Sequence, residues 1–223
     1  MKPYKVVVLG LIALATLAAQ SRHFSQKAPP AAGQFDYYLL SLSWAPDFCS
    51  TAGSDGNAKE CGTGGHVGFV VHGLWPENNS GRGPERCNTE SHVAAPVVRF
   101  ALEFYPTASL VQHEWTEHGT CSGLNANDYF NAVAQTRTSL QIPVQFSSMT
   151  EETQEGTAQI EGQFAAANPS FPAQAFRATC TKNNTQHNLQ EVRVCFGKNL
   201  SPTACTASAG KCTAPGMTIQ PPR

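Results

Sequence analysis

Two short segments carry the side chains in this sequence whose types and spacing could do acid–base chemistry. The first is residues 70–76 (VVHGLWP), and the second is residues 113–121 (HEWTEHGTC). Histidine titrates near neutral pH, so two imidazoles on either side of a scissile bond can act as general base and general acid. The two segments together predict an enzyme that moves protons with two histidines and a neighbouring carboxylate.

The second segment is predicted to be helical and to stop at Gly119. At about 100° per residue, its ionisable side chains fall within one arc of about 140°. They are His113, Glu114, Glu117 and His118. Trp115 points away from that arc, towards a core. A solvated charged face is the alternative interpretation, but it would not need Trp115, Gly119 and Cys121 packed around it.

Metal-dependent and nucleophilic mechanisms fit these residues less well. The zinc motif H-E-x-x-H needs a histidine where the chain has Glu117, and the inverted motif H-x-x-E-H needs one where it has Glu114. Cys121 is expected to be bridged, and no Gly-x-Ser-x-Gly motif occurs. The mechanism that remains is acid–base catalysis by two histidines. Cleavage of RNA by its own 2′-hydroxyl needs only such a pair, without metal or cofactor. A secreted zinc hydrolase stays as an alternative.

Both segments resemble the active-site motifs of a known family. Residues 72–76 (HGLWP) look like the first active-site motif of the ribonuclease T2 family, and residues 113–121 look like the second. An aromatic, apolar strand at 35–44, followed by Cys49, is similar to the opening strand of that family. The resemblance covers roughly residues 35–212, and the two motifs in this order are more specific than either alone.

The resemblance implies an endoribonuclease that cleaves single-stranded RNA, but not DNA, with broad base tolerance. It implies a 2′,3′-cyclic phosphate that is then slowly hydrolysed to a 3′-phosphate. In this assignment His118 is the base towards the 2′-hydroxyl and His72 is the acid towards the leaving oxygen. Glu114 helps to stabilise the phosphorane, and His113 contacts phosphate. No metal or cofactor is expected.

Three further residues are candidates for substrate binding. Trp75 would stack on a base, with core packing as the alternative interpretation. Glu77 takes the place of the acidic residue that often follows the proline in this family. Glu117 stands where the family usually has a lysine, so phosphate binding should weaken and Glu114 or Glu117 should hold its proton more tightly. We therefore expect a slower enzyme with a more acidic optimum, or, as an alternative, a protein that binds RNA or a partner without turnover.

The amino terminus has the anatomy of a secretory signal peptide. Lys2 and Lys5 precede an uncharged apolar run at 6–17, and Ala19 offers a cleavage site. A membrane anchor is the alternative, but a spanning helix needs about 20 apolar residues. We therefore expect a secreted or periplasmic protein that has no membrane contact after cleavage.

Length and composition predict one globular domain. The chain has 223 residues, 41% of them hydrophobic, and a formal net charge of −1. Loss of the signal peptide removes two lysines and no acid and leaves about −3, so RNA must be held by a local site and not by a basic surface. We expect a monomer. The predicted division is a signal peptide at 1–19, a flexible leader at 20–34, a catalytic domain at 35–212 and a loose tail at 213–223.

The eight cysteines predict disulfides, because an even number in an exported chain is typical of them. A zinc site has little support, since no C-x-x-C pair occurs. Sequence alone leaves about 105 pairings open. The family resemblance implies one set: Cys49–Cys61, Cys87–Cys121, Cys180–Cys212 and Cys195–Cys205.

The elements that must position the two motifs are predicted from hydrophobic patterns and breakers. Strands are expected at 35–44, 67–72, 175–182 and 189–196. Helices are expected at 93–105, 113–118, 128–140 and 157–167. His72 would then leave the end of a buried strand, a usual place for a catalytic side chain. Strands around a helical middle predict an α+β fold with a central antiparallel sheet flanked by helices and stabilised by disulfides.

Overall fold

The computed structural model describes residues 30–51, 61, 67–88, 91–183 and 186–222. The predicted signal peptide and the leader up to residue 29 lie outside this range. The last leader residues are fixed to the domain, contrary to the prediction of a flexible leader, because the Gly33 N–H donates to the Cys121 carbonyl at 2.8 Å. Within the described residues, no helix is long and apolar enough to cross a membrane.

The described strands form one six-stranded sheet. They are β1 (Tyr37–Trp44), β2 (Phe69–Glu77), β3 (Thr153–Glu155), β4 (Phe176–Asn183), β5 (Gln186–Gly197) and β6 (Met217–Ile219). Their order is β2-β1-β5-β6-β3, and β4 pairs with β5 outside this path. The pairings are antiparallel apart from a parallel contact between β5 and β6. The predicted α+β class with a central, largely antiparallel sheet is confirmed.

The described α-helices are α1 (Ala45–Thr51), α2 (Ala95–Ala101), α3 (Ala108–Glu117), α4 (Ala126–Thr138), α5 (Val144–Ser148) and α6 (Thr157–Ala167). α6 coincides with its prediction, and α2, α3 and α4 overlap theirs with shifted ends. Thr107 begins α3 by accepting a hydrogen bond from the Leu110 N–H, and Asn125 begins α4 by accepting one from the Asp128 N–H. The sequence does not predict α1, where Pro46 lies in the first turn and needs no N–H donor.

β1 is buried on both faces, in agreement with its mainly apolar sequence. On one face its side chains join the main core with β5, α4 and α6; they are Tyr38, Leu40, Leu42 and Trp44. On the other face Tyr37 and Leu39 pack in a smaller cluster with Cys195, Cys205 and Ala209. The second face is the one that carries Trp75.

Two further chain segments differ from the sequence prediction. β2 continues through the first motif to Glu77 and does not stop at His72. Pro76 is tolerated there because β2 is an edge strand, paired only with β1. The tail at 213–223 is not loose as predicted, because β6 is buried and pairs with β3 and β5.

All eight cysteines are paired, and the four predicted disulfides are confirmed. They are Cys49–Cys61, Cys87–Cys121, Cys180–Cys212 and Cys195–Cys205. The Cys87–Cys121 bridge ties the loop after β2 to the turn that follows α3. The Cys195–Cys205 bridge holds β5 to the segment that covers the smaller cluster.

Candidate active site

His72 lies in a β-bulge in the middle of β2. Ser41 pairs with Gly73 and the next residue, Leu42, pairs with Val71, so His72 has no partner on β1. A bulge bends its strand and re-aims the extra side chain, and bulges are common beside active sites. The bulge thus turns the imidazole of His72 away from the direction that the alternating side chains of a regular strand would give it.

Two carboxylates flank the imidazole of His72. Its Nδ1 lies 2.8 Å from Oε1 of Glu191 on β5, and its Nε2 lies 3.6 Å from Oε1 of Glu114 on α3. Burial of the ring disfavours the charged form, but the hydrogen bond to Glu191 and the charges of both carboxylates outweigh it and raise the pKa of His72. His72 therefore tends to carry a proton.

Glu114 is a buried carboxyl at the centre of the site. Its Oε2 accepts a hydrogen bond from the Trp75 indole N–H at 2.8 Å, whereas Oε1 has no hydrogen-bond partner among the described residues. Burial raises the pKa of Glu114 to about 7, against the opposing effects of His72 and Trp75. Below that pH Glu114 is a neutral acid whose free Oε1 can carry the proton.

His118 follows the last residue of α3 and has the opposite protonation tendency. Burial, with smaller effects from the charges of His72 and His113, lowers its pKa to about 3. The Trp75 ring lies between the two candidate catalytic histidines, 5.1 Å from the His72 ring and 5.2 Å from the His118 ring. The site thus brings together one histidine that tends to be protonated and one that tends to be neutral.

Comparison with known proteins identifies the family. The sequence profile of the ribonuclease T2 family matches residues 35–205. A ribonuclease of Aeromonas hydrophila is 33% identical over 205 residues, which cover 87% of this chain and 85% of that protein. This chain belongs to the ribonuclease T2 family. Membership makes it an endoribonuclease that acts on RNA.

Solved structures show the same fold. RNase NT in complex with 5′-AMP superposes with a TM-score of 0.65 at 19% identity, covering 85% of this chain and 99% of that one. RNase MC1 from bitter gourd seeds gives a TM-score of 0.64 at 22% identity, covering 82% and 99%. The T2 ribonuclease described here thus shares the architecture of these enzymes.

Glu117, the residue that departs from the family pattern, has a counter-charge in this T2 ribonuclease. Its Oε1 lies 3.1 Å from Nε of Arg86, and its backbone carbonyl accepts the Arg86 N–H at 2.8 Å. Arg86 is mostly exposed, whereas Glu117 is largely buried. Glu117 raises the pKa of Glu114, in the predicted direction, but burial is the main cause of that shift.

The remaining predicted binding residues lie around this centre. His113 is exposed on α3, and its charge helps to lower the pKa of His118. Glu77 ends β2, where its Oε2 accepts the Gly83 N–H at 2.9 Å and closes the following loop. Trp75 is half-buried, and its indole N–H donates a hydrogen bond to Glu114. Trp75 therefore helps to position Glu114, in addition to its predicted stacking on a base. That these side chains bind bases and phosphate stays a prediction.

Sequence reasoning missed Glu191 and Arg193. They occupy alternate positions of β5, on the face opposite to the core residues Val192 and Val194. Glu191 is buried, and Arg193 lies over the Trp75 ring at 5.4 Å. Two charges that alternate with buried valines in a central strand were the available signal, because such charges are rarely buried unless they are paired.

Metal-binding side chains form one group among the described residues, away from the two histidines. The group is Cys180, His187 and Cys212. Because Cys180 and Cys212 are joined in a disulfide, neither offers a thiolate to a metal ion. The residues of this group are therefore structural.

Proposed function

We propose that this T2 ribonuclease cleaves single-stranded RNA by attack of the 2′-hydroxyl on the adjacent phosphorus. The first product is a 2′,3′-cyclic phosphate, and slower hydrolysis gives a 3′-phosphate. One observation carries the proposal: the Trp75 ring lies 5.1 Å from the His72 ring and 5.2 Å from the His118 ring, so the two histidines share one site. In agreement with it, the pKa of His72 is raised, while burial lowers the pKa of His118 to about 3. The same site therefore holds an acid and a base between these two pKa values.

The two steps use these histidines in opposite directions. In cyclisation, neutral His118 accepts the 2′-hydroxyl proton while the 2′-oxygen bonds to phosphorus, and His72 protonates the leaving 5′-oxygen. In hydrolysis, neutral His72 accepts a proton from water as it attacks phosphorus, and protonated His118 returns a proton to the 2′-oxygen. The enzyme is thereby restored after each turnover, and the scheme uses no metal ion.

Glu114 is suited to stabilise the phosphorane as a neutral acid. Its raised pKa keeps it protonated below about pH 7, and the indole N–H of Trp75 occupies Oε2. The proton on Oε1 can be donated to a non-bridging phosphoryl oxygen, where negative charge develops in the transition state. An ionised Glu114 would repel that charge, so this role favours acidic to neutral pH.

Substrate contacts and cellular location complete the proposal. Exposed His113 contacts phosphate, and Trp75 and Glu77 contact bases with broad tolerance, because stacking does not distinguish bases. The 2′-hydroxyl is the nucleophile, so DNA is not a substrate. Four disulfides support export to the periplasm or the medium after removal of the signal peptide. We propose that the exported protein is a monomer.

The test uses disulfide-bonded protein with single-stranded RNA or DNA in EDTA, from about pH 4 to about pH 8. We expect cyclic phosphate from RNA only, and loss of cleavage in His72→Ala and in His118→Ala. RNA binding by folded protein without cleavage would support a non-catalytic family member, which Glu117 in place of lysine favours. Dependence on a metal that EDTA removes would support a zinc hydrolase.

A further inference from the structure

β5 carries a pair of opposite charges beside the site, a buried carboxylate and a partly buried guanidinium. Glu191 and Arg193 lie opposite Ser43 and Ser41 of β1, on the sheet face that also carries Trp75. Glu191 is only 3% exposed, although burial of a carboxylate is costly unless it is paired and hydrogen-bonded. A buried ion pair is weak support for stability compared with apolar residues of similar size. We therefore look for the function of this pair in the residues that it contacts.

Its contacts form a continuous path to His72. Oε1 of Glu191 lies 2.8 Å from Nδ1 of His72. Its Oε2 accepts a hydrogen bond from Nε of Arg193 at 2.9 Å and forms an ion pair with Nη2 of Arg193, also at 2.9 Å. Nη1 of Arg193 donates to the carbonyl of Ala209 at 2.9 Å. Ala209 belongs to the segment that follows Cys205, which a disulfide joins to β5.

This path determines which nitrogen of His72 faces the reaction. An ionised carboxylate only accepts hydrogen bonds, so Nδ1 must donate its proton to Glu191. Nε2 is then left on the side of Glu114, inside the site. Burial works to raise the pKa of Glu191, but the bonds and charges of His72 and Arg193 lower it to about 2, so it stays ionised.

We propose that Glu191 and Arg193 are positioning residues for His72. Glu191 orients the imidazole so that its Nε2 proton points to the leaving oxygen, and Arg193 fixes Glu191 to the segment that contains Ala209. This role rests on the proposed function, because it supports the general acid of that reaction. Neither side chain needs to touch the substrate.

The two residues act on the charge of His72 with opposite signs. The charged or titratable groups that face His72 are Glu114, His118, Glu191 and Arg193. Removing the negative charge of Glu191 should lower the pKa of His72. Removing the positive charge of Arg193 should raise it while Glu191 stays ionised. Opposite shifts would show that both charges act on His72, and a fall in kcat with KM unchanged would show that the pair positions the imidazole.

The experiment compares Glu191→Gln, Arg193→Gln and the control Glu161→Gln in disulfide-bonded protein. Glu161 also accepts a backbone N–H, from Ala178 at 3.2 Å, and faces Lys211 at 3.9 Å, but it lies on α6. Imidazole titration by NMR and the pH profile of kcat/KM for RNA cleavage are measured for each variant. The high-pH limb of that profile reports the groups that must be protonated, here His72 and Glu114, so the NMR titration is what assigns a shift to His72.

We expect Glu191→Gln to move the His72 titration and the high-pH limb to lower pH and Arg193→Gln to move both to higher pH. In Glu191→Gln, kcat should fall about 10- to 100-fold with KM nearly unchanged, by analogy with metal-binding histidines that lose their carboxylate partner. Glu161→Gln should change neither property. Glu191→Asp, which keeps the charge, should recover part of the rate.

Equal shifts in both variants, or no shift in either, would overturn the positioning role. If Glu191→Gln does not fold, Arg193→Gln decides the question, because an unchanged His72 titration in that variant contradicts the inference. Failure of the proposed function looks different. In that case the wild-type protein forms no cyclic phosphate, or His72→Ala remains active.

Discussion

Glu114 is the residue at which function and stability oppose each other. The fold buries its carboxyl and leaves Oε1 without a partner among the described residues. A buried polar atom that lacks a hydrogen bond lowers stability. The same free oxygen can carry a proton to the phosphorane. We therefore expect replacement of Glu114 to stabilise the protein and to impair catalysis.

The stability of Glu114→Gln should depend on pH. Folding raises the pKa of Glu114 from 4.5 to about 7, so the folded state binds its proton more tightly and loses relative stability as pH rises through that interval. Glutamine resembles the protonated acid. The variant should match the wild type at about pH 4 and exceed it by about 2–3 kcal/mol at about pH 8 in urea unfolding. A difference that is the same at both pH values would contradict this origin, and Glu161→Gln serves as the control.

Glu117→Lys should raise the rate of RNA cleavage at neutral pH. The change removes a carboxylate that raises the pKa of Glu114 and puts a cation beside the developing phosphorane. We expect a gain of about tenfold in kcat/KM, which corresponds to about 1.4 kcal/mol. Arg86→Gln is the matched control, because it removes the present partner of Glu117 and should slow the enzyme. No gain at neutral pH in Glu117→Lys would disprove that Glu117 limits the rate.

At the scale of elements, sequence patterns predict those helices and strands whose ends are determined by residues within the segment itself. α6 matches its prediction because its pattern and its stop lie within the segment itself. β2 is longer than predicted, because Gly73 indicates a strand end in the sequence and only the sheet reveals an edge strand with a bulge. Glu191 contacts His72, which is 119 residues away in sequence. A local sequence pattern cannot predict a contact between residues so far apart.

Gly73 is the residue of β2 that allows α3 to approach the strand. A Cβ at this position would collide with Oε2 of Glu114 and with Nε1 of Trp75. Gly73→Ala should therefore lower kcat/KM about 100-fold, because a shift of about 1 Å at the chemistry has that effect, and should destabilise the fold by about 1–3 kcal/mol.

Gly162→Ala is the matched control for that strand variant. Gly162 lies in α6, where nothing is within 4 Å of an added Cβ. The substitution should stabilise the protein by about 0.5–1 kcal/mol and leave kcat/KM unchanged. Both variants are compared by urea unfolding and by RNA cleavage. Wild-type activity in Gly73→Ala would show that α3 does not need its close approach to β2.

At the scale of the whole molecule, one face of the sheet contributes mainly to stability and the other mainly to the active site. One face packs the main core against the helices, and the other carries Trp75, Glu191 and Arg193 above the smaller cluster. The Cys195–Cys205 bridge belongs to that second face, whereas Cys180–Cys212 joins β4 to the chain before β6. Stability and activity should therefore respond differently to the loss of these two bridges.

Removing each bridge by paired alanine substitutions tests this division. The bridged cysteines are 32 residues apart in Cys180–Cys212 and 10 apart in Cys195–Cys205. Loop-closure entropy then predicts losses of about 4 and about 3 kcal/mol in urea unfolding. Activity should show the reverse order: folded Cys195→Ala/Cys205→Ala loses about tenfold in kcat, because the carbonyl that holds Arg193 is freed, whereas Cys180→Ala/Cys212→Ala keeps its kcat. If kcat followed stability in both variants, the second face would have no separate part in catalysis.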